Sequence, residues 1–267
     1  MTGKISVLMG IYNCSATLAE AIGSILAQTY ENWELILCDD GSTDGTFDIA
    51  RRYCAQYPEK ISLLQNERNM GLNYTLNRCL DAATGEYIAR MDGDDLCDAT
   101  RFAQELSALE AHPEMAVVST PMHYFDEGGI WATGTAKALP QPMDFLFGTP
   151  FCHAPCMARR DVIRSIGGYT DDPKYLRVED YDLWVKLYAA GHRGMNLTQP
   201  LYQMRDDRNA ASRRKFRYRI NEARVRCKAV RLLKLPFWGY LLALRPILVG
   251  LLPAGLYQLL HKTRLKG

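Results

Sequence analysis

The sequence predicts an α/β protein: a mostly parallel sheet flanked by helices, followed by a basic and apolar helical extension. Three observations predict it. Over the first 125 residues, short apolar runs alternate with stretches whose apolar residues recur at helical spacing. Polar, turn-forming clusters separate the two kinds of segment. The helical stretches run ten to fourteen residues, long enough to carry the chain between parallel strands in right-handed βαβ units.

Taken in order, ISVLMGIY reads as the first strand. SATLAEAIGSILAQTY is the first helix, with Leu18, Ile22, Ile25 and Leu26 at helical spacing. Strand WELILC leads into the turn DDGSTDG and the helix TFDIARRYCAQY, stopped by Pro58. KISLLQ is the next strand, NERNMG a polar loop, and LNYTLNRCLDAA a helix closed by Gly85. EYIARM is a strand ending in DGDD. TRFAQELSALEAH is a helix halted before Pro113, and MAVVST a strand. From 126 to 204 the pattern loosens: EGGIWATGTAKALPQPMD reads as loop, HAPCMA as strand and VEDYDLWVKLYAAG as helix.

The chain of 267 residues is 48% hydrophobic and 23% charged, ordinary for a globular protein. That excludes a disordered charged tail, a collagen-like repeat and a polytopic membrane protein. The net charge of +2 conceals a division. Residues 1–204 hold 16 Lys+Arg and 27 Asp+Glu, a balance of −11, and residues 205–267 hold 16 and 3, a balance of +13. The eight cysteines form no CxxC pair, so neither a zinc site nor a disulfide framework is expected. MTGKISVLMGIYN lacks the features of a signal peptide and reads as a core strand, which points to a cytoplasmic protein.

In open α/β sheets, ligands bind at the carboxyl ends of strands near a topological switch point. Polar clusters lie at three such ends: Tyr12-Asn13, Asp39-Asp40-Gly41 and Asp92-Gly93-Asp94-Asp95. Neither GxGxxG nor GxxxxGK[ST] follows the first strand, which argues against a dinucleotide or P-loop site. In MDGDDL, Asp92 and Asp94 project to the same side of an extended segment, and Gly93 would let a bulky ligand approach the backbone. Carboxylates this crowded repel unless a cation or hydrogen-bond donors compensate, and hard oxygen ligands suit Mg²⁺ or Mn²⁺. The plain alternative is a solvated acidic turn with Asp95 capping the next helix. In DDGSTDG, Ser42 or Thr43 would cap the following helix, whereas Asp40 would accept hydrogen bonds from a nucleobase or ribose. In VEDYDLW, Glu179, Asp180 and Asp182 complement a helix dipole; the functional reading instead makes one of them a general base.

In this order and spacing, SVLMGIYN, LILCDDGSTDGT, GEYIARMDGDD and GGY…EDYDLWVKL resemble the inverting nucleotide-sugar glycosyltransferases of family 2, with the GT-A fold. The resemblance runs from about residue 4 to 205. It implies a GT-A catalytic domain over 1–204, with a nucleotide-binding half of about 1–125 and an acceptor half of about 126–204. The implied reaction is metal-dependent transfer of a sugar from a nucleoside-diphosphate sugar to an acceptor hydroxyl, of the bacterial surface-polysaccharide type. By the same resemblance Tyr12, Asn13, Asp40, Asn77 and Asp92 hold the nucleotide. Asp94, Asp92 and Asp95 hold Mn²⁺ or Mg²⁺, Asp180 is the catalytic base, and Glu179 lies on the acceptor side. His153 matches a histidine that lines the sugar pocket; a satisfied polar contact accounts for it equally well.

Two departures stand out. Where many relatives carry a metal-binding His after a YR pair, Arg205 is followed here by Asp206 and Asp207. The QxxRW element of processive synthases is missing, which favours transfer of a single sugar. In the extension, Arg205 to Lys234 holds twelve basic residues and three acids, and Leu235–Leu244 and Pro246–Leu260 are apolar runs of ten and fifteen. Neither reaches the roughly 18–20 residues of a spanning helix, and a mid-membrane Arg245 would cost about 2.5–3.5 kcal/mol. Residues 205–267 therefore read as a basic amphipathic anchor to an anionic membrane surface, ahead of a helical cap on the body, a dimer contact or a nucleic-acid contact. The expected acceptor is a glycan or lipid-linked glycan at the cytoplasmic face of the inner membrane, with no nucleic-acid partner. The competing readings are a sugar-phosphate nucleotidyltransferase, whose Gly-rich basic loop is missing, and a non-catalytic membrane-associated scaffold.

Overall fold

The computed structural model describes residues 2–206 and 215–251. β1 (Ile5–Ile11), α1 (Leu18–Leu26), β2 (Trp33–Asp39), α2 (Thr46–Gln56), β3 (Ile61–Gln65), α3 (Leu72–Ala82) and β4 (Tyr87–Arg90) alternate as the apolar pattern predicts. β5 (Leu96–Cys97), α4 (Arg101–Ala111), β6 (Met115–Ser119), β7 (Met122–Asp126) and β8 (Gly129–Thr133) follow. β9 (Met157–Arg159), α5 (Arg160–Ser165), α6 (Glu179–Ala189), β10 (Arg193–Asn196) and β11 (Tyr202–Arg205) come next. α7 (Phe216–Leu232), α8 (Gly239–Ala243) and α9 (Arg245–Gly250) lie beyond them.

Seven strands form the main sheet in the order β10-β6-β9-β4-β1-β2-β3. β1 pairs in parallel with β2 and β4, β2 with β3, and β6 with β10. β9 runs antiparallel to both of its neighbours. β1 and β2 are apolar nearly throughout because both faces of the sheet are covered. Successive side chains enter opposite layers: Val7, Met9, Leu35 and Leu37 pack in one core, and Leu8, Ile36 and Cys38 in the other. α1 closes the first layer with Leu18, Ile22 and Ile25, all buried at helical spacing.

The structure adds to the expected pattern in the second half. The stretch read as loop from Glu127 contains β8, an edge strand of a second sheet ordered β5-β11-β7-β8. HAPCMA is strand only from Met157. The basic extension is also built into the body over part of its length. β11 runs through Arg205, across the boundary drawn at 204. Val225 and Ala229 of α7 are fully buried beside residues of α6, and Lys228 pairs with the buried Asp182 at 2.5 Å. Among the described residues no helix is long and apolar enough to cross a membrane.

Candidate active site

The strand order reverses between β1 and β4: β2 and β3 lie to one side of β1, β4 and β9 to the other. Crevices form at such reversals, outside the carboxyl ends of the strands. The ends of β1, β2 and β4 carry the three polar clusters. The first two are stitched together. Asn13 adopts a positive φ of 48°, a conformation asparagine tolerates better than most residues. Its Oδ1 accepts from the Thr43 N–H at 2.9 Å, and its own N–H donates to Ser42 Oγ at 3.0 Å. Ser42 and Thr43 are therefore not helix caps; Asp44 takes the Thr46 N–H at 2.9 Å instead. Tyr12 is 48% exposed.

Asp40 is buried, and its carboxylate accepts from Asn66 Nδ2 and the Met70 N–H, both at 2.7 Å, and from the Gly71 N–H at 2.9 Å. It fastens the loop between β3 and α3 to the end of β2. Gly41 follows with a φ of +71°, and a Cβ there would stand 2.7 Å from the Arg68 carbonyl carbon. Close approach and positive φ both demand glycine. Asp39 is fully buried, and its Oδ1 has no partner.

At the end of β4, one carboxylate oxygen from each of Asp92, Asp94 and Asp95 lies within 4.8 Å of the others. Asp92 takes a bidentate pair from Arg90, at 2.7 and 2.5 Å, and its N–H donates to the Tyr202 hydroxyl at 3.2 Å. Asp95 is buried and accepts the Arg205 N–H at 2.8 Å, while Arg205 Nε reaches the Asp94 carbonyl at 3.0 Å. Asp95 thus ties β11 to the acidic turn rather than capping α4. Burial, with Asp92 and Asp94 adding to it, pushes the Asp95 carboxyl up to about 8. Asp94, the exposed member, is also raised, by desolvating walls first and by Asp92 second. Arg90 compensates one carboxylate and leaves the others crowded, a donor set that a hard divalent cation fits. The space against Gly93 is taken by the protein itself: a Cβ would meet Cys14 Sγ at 2.9 Å and Ile11 Cγ2 at 3.2 Å.

A further group of acids opens α6. Glu179 and Asp180 are half-buried, and Glu179 Oε2 is buried without a partner. Burial first and Glu179 second push the Asp180 carboxyl up to about 6, while the positive charge of Arg90 favours its ionised form. Asp182 turns away from them, fully buried on Lys228 and on Thr170 Oγ1 at 2.6 Å. His153 shares a 2.8 Å hydrogen bond with the Tyr169 hydroxyl and meets the Trp184 ring edge-on. Burial, then Arg90, hold its imidazole well below the usual range, so it is neutral at pH 7. Asn77 spends its amide elsewhere: it donates to the Tyr169 carbonyl and accepts from the Tyr169 N–H, both at 2.8 Å. It brackets the GGY loop against α3.

The sequence gives no site role to Arg90, Tyr202 or Tyr169, and marks Arg205 only as the residue before Asp206 and Asp207. Arg90 carried a signal, as a lone cation ending an apolar strand two residues before Asp92. Its charge acts on Asp94, Asp180 and His153 alike, so the acids at 92–95 and those opening α6 lie within electrostatic reach of one guanidinium. Asp207, one of the two acids that follow Arg205, lies outside the described residues.

The sequence matches Glycosyl transferase family 2 over residues 6–167 and Glycosyl transferase family group 2 over residues 87–261. EpsE of Bacillus subtilis (strain 168), which carries a provisional glycosyltransferase name, is 46% identical over 261 residues, covering 98% of this chain and 94% of that protein. The Escherichia coli enzyme WfaP, a UDP-Glc:alpha-D-GlcNAc-diphosphoundecaprenol beta-1,3-glucosyltransferase, is 28% identical over 83% of this chain and 84% of its own length. The mannosyltransferase PcManGT of Pyrobaculum calidifontis, solved with GDP-Man and Mn²⁺, shares the fold with a TM-score of 0.68 at 19% identity, covering 99% of this chain and 80% of that one. The chain belongs to glycosyltransferase family 2 and is a sugar-transferring enzyme of glycan biosynthesis with the GT-A fold.

Proposed function

We propose that this enzyme moves a sugar, with inversion, from a nucleoside-diphosphate donor to a hydroxyl of a lipid-linked glycan, using Mn²⁺ or Mg²⁺, at the cytoplasmic face of the membrane. The observation that carries the reading is Arg90, which is bonded to Asp92 on the metal side and favours the ionised form of Asp180 on the other. Asp94 and Asp95, with Asp92, would hold the cation, which when bound supplies positive charge to the departing diphosphate. Tyr12, Asn13 and Asp92 would face the nucleotide. Asp40 and Asn77 would serve it indirectly, through the loops they fasten. Asp180, raised towards neutrality, is matched to accept the proton of the attacking hydroxyl. Glu179 would bound the acceptor side. His153, neutral and fixed by Tyr169, would present a polar edge to the sugar. A single displacement needs one base and no carboxylate nucleophile.

The acceptor class draws support from WfaP, whose name specifies a diphosphoundecaprenol-linked sugar. The cations of the segment 205–267 support membrane attachment. A donor screen across UDP, GDP and TDP sugars with Mn²⁺ or Mg²⁺, followed by transfer to a polyprenyl-diphosphate-linked sugar, tests the reading. Asp94→Asn and Asp180→Asn should each abolish transfer with the fold intact; full activity in either would remove that residue from its role.

A further inference from the structure

A cavity of about 340 Å³ opens beside α7, lined by Tyr175, Arg224, Cys227, Lys228, Arg231 and Tyr240. Half of its lining residues are cations and none is an acid. Lys228 is fixed in the wall, on Asp182 at 2.5 Å and 4.9 Å over the Tyr175 ring. Arg224 is anchored by Asn221 Oδ1 at 2.9 Å. The exposed Arg231 guanidinium engages no described residue. Asp180 and Asp182 stand about 200° apart around α6. The face of α6 that Lys228 holds is therefore turned away from the catalytic base, and the cavity is not part of the cleft.

Tyr240 joins this cavity to an apolar ledge. Its ring lies 5.6 Å from that of Phe237. Phe237, Leu241, Leu244, Leu248 and Leu251 are all exposed, from 86% at Phe237 to 46% at Leu244. Leu241 lies on α8 and Leu248 on α9, with Phe237, Leu244 and Leu251 flanking the two short helices, at helix-like spacings of four, three, four and three residues. A contiguous exposed apolar face marks an interaction site. Cations line the cavity that adjoins it, in a chain whose first 204 residues balance at −11. A second copy meeting this face across a two-fold axis would set the same cations opposite one another. An anionic bilayer complements both parts.

We infer that the α7–α9 face docks on an anionic lipid bilayer, with the cavity taking the phosphate of a lipid headgroup and the Phe237–Leu251 ledge entering the acyl boundary. Forked guanidiniums at Arg224 and Arg231 suit phosphate oxygens. The inference rests on the membrane reading above and names the surface and the headgroup chemistry that would carry it.

Flotation of the full-length chain with phosphatidylcholine vesicles, with and without phosphatidylglycerol, tests it. The wild type should float only with phosphatidylglycerol present. The double variant R224Q/R231Q should lose about 25-fold in partition, about five-fold per cation, and L241D should lose binding as well. Both alter exposed side chains, so melting temperatures should hold. Equal flotation of the double variant and the wild type overturns the phosphate pocket and leaves membrane attachment standing. A wild type that never floats overturns both. Self-association that L241D abolishes, without flotation, assigns the ledge to a second copy and overturns the inference. Inorganic phosphate stabilising the wild type but not the double variant, with flotation indifferent to phosphatidylglycerol, assigns the pocket to a soluble anion and also overturns it. Donor hydrolysis without lipid is read separately, and its failure would bear on the catalytic cleft and not on this face.

Discussion

Asp180 offers a titration that ties structure to rate. Its carboxyl is pushed up to about 6, by burial first and by the neighbouring Glu179 second. A general base works in its ionised form. For a group titrating at about 6, the ionised fraction climbs from about one tenth at pH 5 to about nine tenths at pH 7. The maximal rate of transfer should therefore rise about ten-fold across that interval and level off above it. Glu179→Gln removes the second cause, so the rising limb should move to lower pH. Asp180→Asn should cost about 10²- to 10⁴-fold and erase the limb. The assay is nucleotide release at saturating donor, acceptor and Mn²⁺, with melting temperature as the control for folding. A flat profile between pH 5 and 7, or a limb that moves upward in Glu179→Gln, would refute the assignment.

Asp95 gives a stability prediction of definite sign. Its carboxyl, up at about 8 in the folded chain, ionises near 4 when unfolded. Metal-free stability should therefore fall as pH rises through that window, Mn²⁺ should raise the melting temperature more at pH 8 than at pH 5, and Asp95→Asn should flatten both trends. Arg90→Gln strips Asp92 of its bidentate partner. The expected loss is about 3 kcal/mol in urea unfolding, the low end for a broken buried pair because Asp92 keeps some solvent, with turnover down more than about ten-fold. Lys228→Met leaves the fully buried Asp182 with Thr170 and the more distant Lys186, and should cost about 3–5 kcal/mol in the same measurement, partly restored by adding Asp182→Asn.

Local signals made the first half of the fold readable. β1 and β2 are continuous apolar runs, α2 stops at Pro58, and acids end the strands where the sheet order reverses. What escaped depended on pairing between distant segments. β5 has two residues and exists through its antiparallel partner β11, more than a hundred positions away. β8 starts at a glycine and lies at a sheet edge with exposed residues, so no alternation marks it. The antiparallel run of β9 between β4 and β6 has no local signature either. The site divided along the same line. The acids at 92, 94, 95 and 180 announced themselves by crowding and position. Asp40 and Asn77 were legible as polar residues near the cleft, but their partners, the loop at 66–71 and the backbone of Tyr169, are set by tertiary packing. Arg205 reads in sequence as the first residue of a basic tail, yet its backbone completes the environment of Asp95.

The charge division shows the same limit in finer detail. A count of basic residues treats the tail as one cationic surface, but burial and partners divide four of those on α7. Arg226 points inward and donates to the Leu146 carbonyl at 2.7 Å, and Lys228 is spent on Asp182. Arg224 and Arg231 open outward, beside the apolar ledge. Two of these cations therefore hold α7 to the body, and the other two, about one turn to either side of Lys228 on the same face, remain for an anionic partner. Because Lys228 grips the helix that begins at Glu179 and Asp180, the same element that would meet the membrane also fixes the helix that carries the proposed catalytic base.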